Sequence, residues 1–117
     1  MINYKEFLRN YWNDIQKMMD TQDTSIIKDY FSNDATYQFR TNEGMVDVNI
    51  EAMLQSTLGY KELQDTPIMI ERIEKLGNGV FLTIVFASVD KKPYFASSFF
   101  KMENEKIVEL IEYYGDF

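Results

Sequence analysis

The 117-residue chain contains no histidine and no cysteine. Ser–His and Cys–His nucleophiles, thiolate chemistry, disulfides and His- or Cys-ligated zinc are therefore excluded by composition. Carboxyl and phenol groups remain: 19 Asp and Glu, and 8 Tyr. A carboxylate serves as general acid or base when it lies within hydrogen-bond reach of the proton it moves. Glu112 is the carboxylate of most interest, in the apolar terminal stretch Lys106–Tyr114. If it faces an apolar cavity it can act in this way, with Tyr37, Tyr94 or Tyr114 polarising a substrate oxygen; Glu112 and Tyr94 are the catalytic candidates. The plainer alternative is a solvated strand charge, or one paired with Arg40 or Arg72. Asp47 reads either as a base at a pocket mouth or simply as a helix cap. Asp14, Asp20, Asp23, Asp29 and Asp34 are scattered over helix surfaces and caps without the spacing of a Ca²⁺ loop. No metal and no cofactor is expected.

The bulk properties narrow the partners. A net charge of −7 repels phosphate backbones and anionic lipid, so neither nucleic acid nor a membrane surface is an expected partner. No apolar run approaches the ~18 residues of a membrane span, and the start, Met1-Ile2-Asn3-Tyr4-Lys5-Glu6, lacks a signal peptide's basic and apolar regions. The expected location is cytoplasmic. The 45% apolar fraction is that of a packed globule, and the length fits one domain spanning 1–117.

Positioning a carboxylate takes rigid elements, and the sequence pattern supplies them. Tyr4, Phe7, Leu8, Tyr11, Trp12, Ile15, Met18 and Met19 mark one face of a helix from about Asn3 to Asp20. Asp23 caps a short helix expected over Thr24–Phe31. Ala35–Arg40 alternates as a short strand, expected at a sheet edge, and Thr41–Met45 reads as a loop. Asp47 or Asn49 caps a third helix over about Val48–Leu58, with Gly59 ending it, as a C′ glycine commonly does. Tyr60–Asp65 reads as a loop. Four strands follow: Pro67–Leu76, Val80–Val89, Tyr94–Met102 and Lys106–Tyr114, joined by Gly77-Asn78-Gly79, Asp90–Pro93 and Glu103–Glu105. The expected class is α+β, with helices on one face of an antiparallel sheet. Val80–Val89 is apolar on both parities, so its second face needs a cover, expected to be another subunit.

The segment Asp23–Tyr37, D-T-S-I-I-K-D-Y-F-S-N-D-A-T-Y, resembles a pattern of the nuclear transport factor 2-like superfamily, carried here by Asp23, Ile27, Phe31, Asp34, Ala35 and Tyr37. Gly44, the helix with Ile50, and the ending Lys106–Glu109…Glu112-Tyr113-Tyr114-Gly115-Asp116 look like its SnoaL-like branch. The resemblance covers the whole chain and implies a cone-shaped curved antiparallel sheet, a cystatin-like α+β barrel, with three N-terminal helices on its concave face. It also implies an internal cavity. By analogy, Tyr37, Phe39, Leu82, Ile84, Phe86, Ser88, Tyr94, Ala96, Ser98, Phe100, Val108, Leu110, Glu112 and Tyr114 would point inward. Trp12, Ile15, Met19, Leu54 and Leu58 would close it from the helices. Where the ketosteroid-isomerase branch carries its catalytic carboxylate, oxyanion acid and helix tyrosine, this chain has Phe39, Ser98 and Ile15, with Tyr11 one turn away. That mechanism is not supported, and a scytalone-dehydratase-like one would need histidines. Two functions stay open: a domain binding a small apolar or aromatic ligand, or a small-molecule isomerase, cyclase or dehydratase using a pocket Glu and Tyr. The superfamily also implies a homodimer through the convex sheet face, expected to use Phe81, Val85, Val89, Ile107, Ile111 and Tyr113 with Phe95 and Phe99.

Overall fold

The structure, a computed structural model, describes residues 3–116. Helix α1 (Tyr4–Thr21) starts at Asn3, whose Oδ1 accepts the Glu6 amide, and buries Leu8, Tyr11, Trp12, Ile15, Met18 and Met19. This is the stripe expected from the spacing. Helix α2 covers only Ser25–Lys28. The expected helix to Phe31 is cut short because Phe31 pairs with Ile107 and Tyr30 accepts the Ile107 amide, which draws the chain into the sheet.

Strand β1 (Phe31–Thr41) is longer than expected and is not an edge, because β2 (Gly44–Val48) pairs outside it. β2 takes Gly44 and Met45 from the segment read as a loop and runs on to Val48, the expected start of the third helix. It is short and mostly exposed, so it carries no clear alternation. Asp47 lies on this strand and accepts from Gln38 Nε2 at 2.7 Å. It is therefore neither the cap nor a cavity group. Asn49 caps helix α3 (Ile50–Leu58) by accepting the Ala52 amide at 2.7 Å. Gly59 ends the helix as expected, at φ −66°, and the chain continues into a 3₁₀ turn, Gly59–Leu63.

Strands β3 (Met69–Gly77), β4 (Val80–Val89), β5 (Lys92–Glu103) and β6 (Lys106–Asp116) form the expected meander. The sheet order is β2-β1-β6-β5-β4-β3, antiparallel throughout except for the parallel β1–β6 pair. Two hairpins turn on pairs of left-handed residues, Asp90-Lys91 and Asn104-Glu105. The third uses Gly79 at φ +69°, where an added Cβ would lie 2.7 Å from the Met102 carbonyl oxygen. Gly79→Ala is expected to cost about 1–3 kcal/mol, measured by urea unfolding. An unchanged midpoint would show that the turn relaxes freely.

Pairing sets which face each residue occupies, and it reverses the expectation for β4. Phe81, Thr83, Val85 and Ala87 lie opposite Phe100, Ser98, Ala96 and Tyr94, so they share the helix-covered face. Leu82, Ile84, Phe86 and Ser88 turn to the other side. Phe81, Val85 and Val89 therefore leave the expected convex set. Ile107 leaves it too, fully buried opposite Phe31. No helix among the described residues is long and apolar enough to cross a membrane.

Candidate functional site

One line of side chains crosses the covered face through Thr83, Ser98, Glu112 and Phe39, each opposite the next on β4, β5, β6 and β1. A β-bulge puts Glu112 there. Met102 pairs with Ile107, but Lys101 pairs with Glu109, so Val108 is an extra residue in β6. Without that residue Ile111 would stand opposite Ser98, and Glu112 would face away. Bulges commonly re-aim a side chain in this way.

Glu112 is only 4% exposed. The Tyr37 and Tyr114 hydroxyls donate to its Oε1 at 2.9 and 2.6 Å, and the Ser98 hydroxyl donates to Oε2 at 2.5 Å. The two phenol oxygens are 2.7 Å apart. Among the described residues Glu112 makes no ion pair, with Arg40, Arg72 or any other cation. Burial pushes the Tyr37 and Tyr114 phenols well above their ordinary range, and the Glu112 charge adds to it. Tyr11 is raised in the same way, by burial first and then by Glu112. These phenols stay protonated, so the accepting group of the cluster is Glu112. Tyr114 as a residue is 41% exposed, although its hydroxyl turns inward to Glu112.

Trp12 ties α1 to this line by donating its Nε1–H to Thr83 Oγ1 at 2.9 Å. Beside it a cavity of about 100 Å³ is walled by Tyr11, Trp12, Ile15, Met19, Met53, Val85, Ala96, Tyr94, Tyr114 and Glu112, with Thr57, Tyr60 and Gln64 also on its lining. A second hollow of about 330 Å³ is lined by Tyr37, Phe39, Arg40, Val48, Ala52 and Ser56. Tyr60, Tyr94 and Tyr114 border both, with ring centroids 6.4 Å apart for Tyr60–Tyr94 and 5.7 Å for Tyr94–Tyr114.

Of the residues expected from the sequence, Trp12, Tyr94, Tyr114 and Glu112 border the first cavity, and Tyr37 and Phe39 the second. Phe86 borders the first although its ring packs against Phe95 on the opposite face, centroids 5.0 Å apart. Ser98 stands behind Glu112, while Leu54, Phe100 and Leu110 are fully buried and line neither space. Tyr60 and Gln64 were missed because their segment reads as a loop. Tyr11 and Met53 lie on helical stripes that look like ordinary core.

A six-stranded curved sheet with helices on one face and a polar cluster beneath them defines a cone-like α+β protein. No family model matches the sequence, and no curated protein matches it. Solved structures do. An NTF2-like protein of unknown function from Cytophaga hutchinsonii aligns over 98% of this chain and 92% of its own, with TM-score 0.66 and 14% identity. A candidate ketosteroid isomerase from Kribbella flavida aligns over 94% and 78%, with TM-score 0.67 and 10% identity. A de novo designed protein with a curved β-sheet aligns over 94% and 86%, with TM-score 0.67 and 13% identity. The chain has the nuclear transport factor 2-like fold. At these identities the likeness is one of fold, which the designed protein shares.

Proposed function

We propose that this chain, spanning 1–117 as one SnoaL-like domain, binds a small apolar or aromatic molecule in the cavity between α1, α3 and the sheet. The observation that carries this is the cavity itself: mostly apolar walls around one buried carboxylate that accepts three hydrogen bonds, the composition typical of ligand sites. Trp12 is the only tryptophan and borders the cavity, so its emission reports occupancy directly. Titration with a library of compounds no larger than a substituted six-membered ring is expected to shift that emission and raise the melting temperature together. If no member does either, the binding reading fails. The absence of cysteine supports a reducing, cytoplasmic setting.

Acid–base catalysis is the second reading, as an isomerase, cyclase or dehydratase. Two phenols directed at one buried carboxylate at the cavity wall favour it. In this reading Glu112 moves the proton, and Tyr94 stands where it can meet a substrate oxygen. Glu112→Gln would then abolish turnover with little change in melting temperature.

A homodimer through the uncovered sheet face completes the proposal. Strand pairing supports a face made by Leu82, Ile84, Phe86, Phe95, Phe99, Ile111 and Tyr113, all half-buried or exposed. Exposed apolar patches beyond a few hundred Å² are rare on monomers, and a stable dimer buries about 800 Å² per partner. Val85→Arg would not test this, because Val85 borders the cavity. Ile84→Arg does. Light scattering at tens of micromolar is expected to give a dimer for the parent chain and a monomer for Ile84→Arg, and a monomeric parent refutes the assembly.

A further inference from the structure

The hydroxyls around Glu112 determine what kind of ligand the cavity can still satisfy. Four short oxygen–oxygen contacts join Ser98, Tyr37, Tyr114 and Glu112. A hydroxyl carries one proton, so the three hydroxyls bring three protons to four contacts when the carboxylate is ionised. Each proton is already directed within the cluster, and none is left for an acceptor on a ligand. The spare capacity is all of the accepting kind. A carboxylate offers about four lone-pair sites, and three are used here. With the carboxylate ionised, the cluster is one proton short.

The surroundings have the same preference. Among the described residues no Lys or Arg borders this cavity, Arg40 lying on the adjoining hollow, and Glu112 is its single acidic group. The rings of Trp12, Tyr94 and Tyr114 border it as well, and aromatic faces attract cations, most strongly where water is excluded. The net charge of −7 draws cations and repels anions at longer range. We propose, building on the ligand-binding reading above, that the cavity takes a small organic cation: a protonated amine whose N–H donates to Glu112 and whose hydrocarbon body lies against Ile15, Met19 and Val85. The cluster itself has no free donor for a ligand that must accept a hydrogen bond, so a ketone would have to turn to another hydroxyl on the lining, such as that of Tyr60 or Tyr94, and a carboxylate would also be repelled by the chain's net charge of −7. Volume limits the body further. An apolar cavity of ~150 Å³ holds benzene, so a space of about 100 Å³ suits a branched or cyclic alkyl amine of a few carbons.

The test compares isobutylamine, isobutanol and isovalerate at pH 7.5 and fixed ionic strength, by Trp12 emission and thermal shift on the whole chain. All three share one alkyl body. The amine is expected to bind about tenfold more tightly than the alcohol, a difference of about 1.4 kcal/mol, and the acid to be weakest. Glu112→Gln is expected to erase the amine's advantage while the alcohol still binds. Should that variant fail to fold, the order of the three ligands on the parent chain still decides. An alcohol that binds as well as the amine overturns the cation inference and leaves the cavity reading standing. If none of the three binds and larger neutral compounds do, the cation inference alone is overturned. If nothing binds at all, both readings fall.

Discussion

Phe100→Ala is expected to remove about 3–5 kcal/mol of stability. Phe100 is completely buried in the second half of β5, between Phe81 and Leu110 in register. The rings of Tyr11 and Trp12 meet it edge-on at centroid distances of 5.3 and 6.5 Å. Truncation leaves a void under α1 and removes two ring contacts worth about 0.5–1.5 kcal/mol each beyond their buried area. Domains of this kind are stable by only about 5–15 kcal/mol, so the variant would sit near its unfolding threshold. Urea unfolding followed by Trp12 emission measures the change. Phe99, one residue earlier, faces the uncovered side and is only half-buried. In a monomeric background such as Ile84→Arg, Phe99→Ala should cost less than about 1 kcal/mol. Equal costs at the two positions would mean that the assignment of faces is wrong.

That contrast shows where the sequence was legible and where it was not. The α1 stripe could be read because apolar and charged residues divide cleanly at a 3.6-residue period, from Tyr4 to Met19. The four strands of the meander stood out because β-branched and aromatic runs alternate with turn residues. Facing was harder. In β4, Phe81 and Val85 are no more apolar than Leu82 and Ile84, so no alternation marks the core side. The two-residue turn Asp90-Lys91 decides it, by placing odd-numbered residues of β4 opposite even-numbered residues of β5. Analogy gave both strands the same parity and so inverted one of them. The exposed β2 left almost no signal.

The inward position of Glu112 was reached from the sequence only by resemblance. Its physical cause is the extra residue at Val108, and a β-bulge has no reliable sequence mark. Its partners Tyr37 and Tyr114 were named as possible companions. Their convergence on one oxygen depends on the parallel β1–β6 pairing, which brings the Tyr37 hydroxyl to Glu112, 75 positions further along the chain.

The second large effect is a cycle on that cluster. Removing all three donors by Tyr37→Phe, Ser98→Ala and Tyr114→Phe leaves the buried Glu112 carboxyl with none of the hydroxyls that now bond to it. Stripping the partners from a buried ionisable group typically costs about 3–5 kcal/mol. Adding Glu112→Leu to the triple variant removes the stranded group as well. An apolar replacement of a whole buried polar set is often close to neutral, because folding then desolvates nothing unpaired. The quadruple variant is therefore expected to recover to within about 2 kcal/mol of the parent chain, while losing all preference for an amine. Denaturant unfolding of the three proteins, with isobutylamine titrated into each folded one, measures both quantities. Recovery with loss of binding would mean that the cluster is kept for what it binds, since the fold does without it. A quadruple variant as unstable as the triple would instead make the cluster a structural clamp between β1, β5 and β6, and would remove the main support for a functional Glu112.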